Sequence, residues 1–247
     1  MRQTWRDSNR GPFPLRRNAP NNPFMWHLHQ YPLCPFSRKV RLLLGEKGVA
    51  YSLVRENPWE QRDDFLHMNP AGRTPVMRDV DRGITLADSV AICEFIDETV
   101  PANPMIPGTA QYRAEVRRLV SWFDEQFYGD VTQPLLHERM KKRLIDRQPP
   151  ESKVLREAMK LANGHLEYID YLLDHRAWMA GSTMSMADLA AAAQISVADY
   201  LGGIDWTGYE QTKAWYSMFK SRPSFRPLLS ERMEVITPPK HYELVDF

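Results

Sequence analysis

Cys34 stands directly before Pro35 and opens the segment CPFSRKVRLLLGEKG, in which Phe36, Val40, Leu43 and Leu44 fall at i, i+4, i+7 and i+8. That spacing predicts one apolar face of a helix ending near Gly48. A helix N-terminus offers free amides and the positive end of the dipole, a setting that favours the thiolate, the nucleophilic form of cysteine. Pro35 suits the first helical position, where the N–H it lacks would have no partner. The motif is C-P-F-S and not C-x-x-C, so Ser37 cannot close a disulfide with Cys34. Two roles stand open for Cys34: a working thiol, or a small residue beside a helix cap.

Other chemistry lacks its residues. LLHERMKKRL holds His137 and Glu138 but no second histidine four residues on, so it is not a zinc protease helix. There is no P-loop, no G-x-S-x-G and no dinucleotide-binding glycine pattern. The histidines are scattered, so no metal site is assigned. Cys93, inside an apolar helical run, reads as core. The aromatic cluster Trp122, Phe123, Phe127 and Tyr128 reads as core or dimer packing.

The elements that position Cys34 follow from pattern and punctuation. A chain of 247 residues with 43% hydrophobic content can form two modest domains. PANPMIPGT separates them, making 25–100 one domain, 101–109 a linker and 110–229 a second. WHLHQY and AYSLVRE read as strands, EQRDDFLHM as a short helix, and PVMRDV with GITLA as a hairpin around Asp81, Arg82 and Gly83. SVAICEFIDET completes a β-α-β-α-β-β-α order, which predicts a thioredoxin-like α/β domain. Helices are predicted at 110–127, 134–147, 152–175, 186–201 and 209–221, an all-α domain, with Ser185 and Asp188 as a capping box. Residues 230–247 lose that periodicity and form a tail.

Residues 1–24 read as a disordered basic leader without the apolar stretch of a secretory signal, and Met25 is an alternative natural start. With 32 Lys and Arg against 31 Asp and Glu, no overall field draws in nucleic acid or an anionic membrane. The most apolar stretch is interrupted by Asp188 and Asp199, which argues against membrane insertion. Two cysteines are too few for a disulfide framework, which points to the cytoplasm.

In order and spacing, CPFSRKVRLLLGEKGV, MNPAGRTPVM, LADSVAICEFIDE and MAGSTMSMADLAAAA resemble the glutathione transferase superfamily over Met25 to about Leu229. The resemblance implies a homodimer, a thiol position at Cys34 with Ser37 donating to a sulfur, and a mixed disulfide with glutathione as the natural intermediate. It further implies glutathione contacts at Arg73, Thr74, a cis-Pro75 and Val76. Asp88 and Ser89 would receive the γ-glutamyl end. The same residues also stabilise this fold in members that bind no glutathione, so glutathione is possible but not required.

Two features lie outside transferase chemistry: the basic run of HERMKKRL, with Arg139, Lys142 and Arg143, and the tail TPPKHYELVDF. These, with LVSWFDEQF, LAAAAQISVADYLG and AWYSMFKSRPSFRPLL, are similar to the FzlA family of transferase-like division regulators. That narrower resemblance implies a noncatalytic dimer that binds FtsZ filaments at the division site and couples them to constriction. It places the contact surfaces at Arg139, Lys142, Arg143, Tyr242, Asp246 and Phe247. A glutathione-dependent transferase or thiol-transferase using Cys34 is the alternative.

Overall fold

The computed structural model describes residues 26–247, so the expected leader at 1–24 and the start at Met25 lie outside the described residues. Strands β1 (Trp26–Gln30), β2 (Tyr51–Arg55), β3 (Val76–Asp79) and β4 (Ile84–Ala87) form one sheet in the order β2-β1-β3-β4. β1 runs parallel to β2 and antiparallel to β3, while β3 and β4 form the expected hairpin. A parallel pair requires a crossover, and α1 (Pro35–Glu46) supplies it. α2 (Asp63–Met68) and α3 (Ser89–Thr99) complete a mixed sheet with helices, the predicted α/β class.

α1 is not simply amphipathic. Val40, Leu42, Leu43 and Leu44 are fully buried, but so are Arg38 and Lys39, with Arg41 nearly so. The helix packs against α3 and against α7 (Met186–Tyr200), which closes off its polar side. Each buried cation therefore has a carboxylate: Arg38 and Arg41 share Glu231, and Lys39 pairs with Asp124. Without those partners the desolvation of each charge would cost several kcal/mol.

The helical domain departs from expectation in one place. Separate helices at 110–127 and 134–147 are predicted, yet the chain stays helical from α4 (Ala110–Ser121) through α5 (Gln133–Leu136), with π-helical stretches at Trp122–Thr132 and His137–Asp146. Pro134 lacks an N–H and crowds the preceding turn of an α-helix, and the wider π geometry ahead of it accommodates both defects. Arg147, at φ 52°, ends the run. α6 (Ser152–His175), α7, α8 (Glu210–Ser221) and α9 (Arg226–Leu229) follow.

α7 is buried along its whole length. The capping box holds: Ser185 N–H donates to Asp188 Oδ2 at 2.9 Å. Asp188 also accepts from Met179 N and Trp215 Nε1, tying α7 to α8. The start of the linker is tied to the first domain, because Lys47 Nζ donates to Val100 O and Ala102 O, each at 2.8 Å, and pairs with Asp97. No described helix is long and apolar enough to cross a membrane.

Candidate functional site

The start of α1, the loops around Trp59 and Arg73, and the π-helical run enclose a cavity of about 800 Å³. Cys34 is the N-cap of α1, with φ −80° and ψ 113°, and is half-buried on the cavity wall. Its thiol donates to Thr74 O at 3.4 Å. Aromatic pairs shape the walls: Tyr31 meets Trp59 at 5.0 Å, and Phe36 meets Tyr128 at 4.8 Å. Tyr31 also donates its hydroxyl to Met140 Sδ at 3.1 Å. Burial holds the Tyr31 phenol far above its ordinary range and raises Tyr128 as well, the latter helped by Cys34. The Tyr31 phenol is thus a neutral donor. Arg73 and Lys141 bring positive charge to the lining, and Asp124 and Glu125 bring negative charge. Asp124 faces the buried Lys39, while desolvation raises its carboxyl.

Of the residues expected in a glutathione site, Cys34, Arg73 and Thr74 come together on this cavity. Ser37 does not join them. It is fully buried, and among the described residues its hydroxyl has no partner, so it donates to no sulfur. The Thr74–Pro75 bond is cis. Val76 is a correction: it is buried within β3, in register with both His29 of β1 and Ala87 of β4, so its strand edges are already taken. The backbone that faces Cys34 belongs to Thr74. Asp88, at φ 75°, caps α3 with its own carboxylate, accepting from Val90 N at 2.7 Å and Ala91 N at 3.3 Å. The expected pair Asp88 and Ser89 does not line the cavity. The fit to glutathione is partial.

The expected contact surfaces are also rearranged. Arg139 is half-buried and donates to Leu201 O. Lys142 pairs with Glu138 at 2.8 Å. Only Lys141 and Arg143 of that basic run are exposed, Arg143 reaching Val235 O at 3.5 Å. Tyr242 is a correction to the expected contact set, because it is fully buried. Its hydroxyl accepts from Arg38 Nη1 at 3.1 Å and donates to Leu228 O at 3.3 Å, and its ring meets Tyr200 edge-on at 5.1 Å. Phe247 anchors the end, packed on Trp206 at 5.1 Å with Lys220 Nζ 4.2 Å from its ring centre. Asp246 is exposed, together with Leu244 and Val245.

Trp59, Tyr31, Arg38 and Glu231 were not indicated by the sequence. Trp59 sits in a short 3-10 turn beside Pro58, a flanking proline being its only local signal. Arg38 looks like an ordinary surface position of an amphipathic helix. Among the aromatics read as packing, Phe123 and Phe127 are core, but Tyr128 faces the cavity. No group of three or more metal-ligating side chains comes together among the described residues.

Comparison with known proteins places this geometry. Residues 33–99 match the glutathione S-transferase N-terminal domain, and residues 132–223 match the C-terminal domain. FtsZ-localized protein A of Caulobacter vibrioides is 42% identical, across 89% of this chain and 97% of that protein. The structure of FzlA from C. crescentus superposes with a TM-score of 0.87 at 41% identity, covering 90% of this chain and all of that one. A structure described as a glutathione S-transferase from Rhodospirillum rubrum gives 0.87 at 44% identity, with the same coverage. The chain belongs to the glutathione S-transferase superfamily and, within it, to the family of FtsZ-localized protein A.

Proposed function

We propose that this protein is a noncatalytic regulator of bacterial cell division that binds FtsZ filaments at the cytoplasmic face of the division site, acting as a homodimer and coupling filaments to constriction. The observation that carries the reading is the 42% identity extending over 97% of FtsZ-localized protein A. The site is compatible with it: Val76 is paired on both sides within the sheet, and the Ser37 hydroxyl reaches no sulfur. The filament reading itself calls on no cofactor, although Cys34, Arg73 and Thr74 still meet on the cavity.

The tail presents the surface. Tyr242 and Phe247 fasten it, which leaves Leu244 at 54% exposure and Val245 at 38% beside exposed Asp246 and near Met218 of α8. Apolar residues held outward by packed anchors lose little freedom when they meet a partner. The exposed cations Lys141 and Arg143 would steer association with any partner surface of opposite charge. The test is co-sedimentation with GTP-assembled FtsZ. Failure to pellet, in conditions where a positive control pellets, would exclude the reading.

The cavity supports a second reading, a thiol-transferase centred on Cys34. There the Cys34 thiolate would attack a disulfide sulfur, form a mixed disulfide and release the other sulfur as a thiolate that takes up a proton. Unchanged turnover in Cys34→Ala would remove that thiol from any activity measured.

A further inference from the structure

The wall of the cavity and the tail are fastened by one side chain. Residues Tyr31 to Cys34 form a turn closed by Cys34 N–H donating to Tyr31 O at 2.9 Å, and Tyr31, Leu33 and Cys34 line the cavity. Pro32, the remaining member, turns its carbonyl the other way, onto Arg38 Nε at 2.8 Å. The same guanidinium donates through Nη1 to Ser196 Oγ at 2.9 Å and to Tyr242 Oη at 3.1 Å, and through Nη2 to Glu231 at 3.3 Å. Arg38 has no solvent exposure, and its charged group lies 5.8 Å from the centre of the Tyr200 ring. A guanidinium is a rigid planar fork whose donors cannot be re-aimed one at a time. Because the group is fully buried, a lost acceptor is costly, and moving Pro32 sets the guanidinium's bond to the turn against its bond to Tyr242.

We propose that the Cys34 cavity is an effector site whose occupancy sets how tightly the tail is held, through the Pro32–Arg38–Tyr242 relay. An occupant bulky enough to displace the Tyr31–Cys34 turn takes the Pro32 carbonyl off Arg38, and Tyr242 loses the alignment of its hydrogen bond. The occupant suited to the lining is a small organic anion with an apolar or aromatic body: aromatic rings to receive the body, Arg73 and Lys141 for the charge. The consequence for filament binding rests on the function proposed above, whereas the coupling itself does not.

N-ethylmaleimide tests the coupling on the full-length protein. Its alkene accepts the Cys34 sulfur at one carbon, and the thiol proton ends on the neighbouring carbon. Cys93 is 1% exposed and burial pushes its thiol up to about 12, so one adduct per chain is expected. Hydrogen exchange is then read at the Tyr242 and Leu244 amides, which bond to Pro239 O at 3.0 Å and His241 O at 3.1 Å. The adduct should accelerate both by at least about fivefold, the lower end of ordinary coupling between sites, with α7 amides unchanged. In Tyr242→Phe, which keeps the ring and removes the relay, exchange should be fast with or without the adduct. Unchanged tail exchange in the adduct overturns the proposal, as does an adduct response that persists in Tyr242→Phe. Failure of Cys34 to label, when the unfolded chain labels, also overturns it by showing a closed cavity. Accelerated exchange in a protein whose unlabelled form never pellets with FtsZ would leave the coupling standing and remove the filament reading.

Discussion

Asp188 offers the sharpest test of how the helical domain is held. The side chain has no solvent exposure, and its carboxylate accepts from Met179 N at 3.0 Å, Ser185 N at 2.9 Å, Ser185 Oγ at 3.0 Å and Trp215 Nε1 at 3.2 Å. Asp188→Ala leaves three buried N–H donors without an acceptor, and each such orphan costs ~1–3 kcal/mol. The serine hydroxyl can rotate away and is not counted. The loss should therefore be on the order of 4 kcal/mol or more, a large share of a marginal stability. Asp188→Asn keeps one acceptor oxygen for Met179 and Trp215 but sets an amide N–H₂ against Ser185 N–H, so it should cost ~1–3 kcal/mol. Urea unfolding of the wild type and both variants, with the slope checked for two-state behaviour, gives these values. The pH dependence adds a sign. Burial pushes the Asp188 carboxyl up to about 6. Between the unfolded value, ~3.9, and that point, the folded chain holds a proton that the unfolded chain has released, so this group's contribution falls as pH rises through the window. Asp188→Asn should lack that component. An Asp188→Ala variant within ~1 kcal/mol of wild type would refute the reasoning, because three orphaned donors cannot cost so little in a packed interior.

Other outcomes follow from the same structure. Asp124→Asn removes the partner of Lys39, which is 1% exposed, and should cost ~3–5 kcal/mol in chemical denaturation, as for other broken buried pairs. Lys220 is buried among the rings of Tyr216, Tyr242 and Phe247, and desolvation lowers its ammonium to about 8. From pH 8 to the unfolded value, ~10.4, the unfolded chain binds the extra proton, so this group's contribution to stability rises with pH, and Lys220→Met should flatten that rise in thermal scans. Leu244→Ser combined with Val245→Ser should weaken filament binding about tenfold, equivalent to ~1.4 kcal/mol, while leaving the melting temperature unchanged, since both side chains are exposed.

The fold was legible because its elements carry local signals: the strand pattern of β2, the hairpin turn at Gly83 and the Ser185–Asp188 box all appear where the sequence puts them. The join through Pro134 was not, because a proline ordinarily ends a helix and nothing local announces that π geometry will carry the chain past it. Site residues divide in a similar way. Cys34, Arg73 and Thr74 sit at element boundaries that the sequence marks, and they meet at the cavity. Val76 and Ser37 were misread because periodicity does not reveal which backbone edges and hydroxyls the sheet and core have already taken. The tail was read as a surface, but Tyr242 within it is core: it depends on Arg38, 204 residues away in sequence, and no local pattern encodes that pair.

The central claim is that this scaffold now serves to hold a filament-binding tail, and co-sedimentation with GTP-assembled FtsZ tests it most directly. The wild type should pellet with polymer and stay soluble without GTP, and the Leu244→Ser, Val245→Ser double variant should largely remain in the supernatant. A folded wild-type protein that stays in the supernatant alongside assembled filaments would contradict the account.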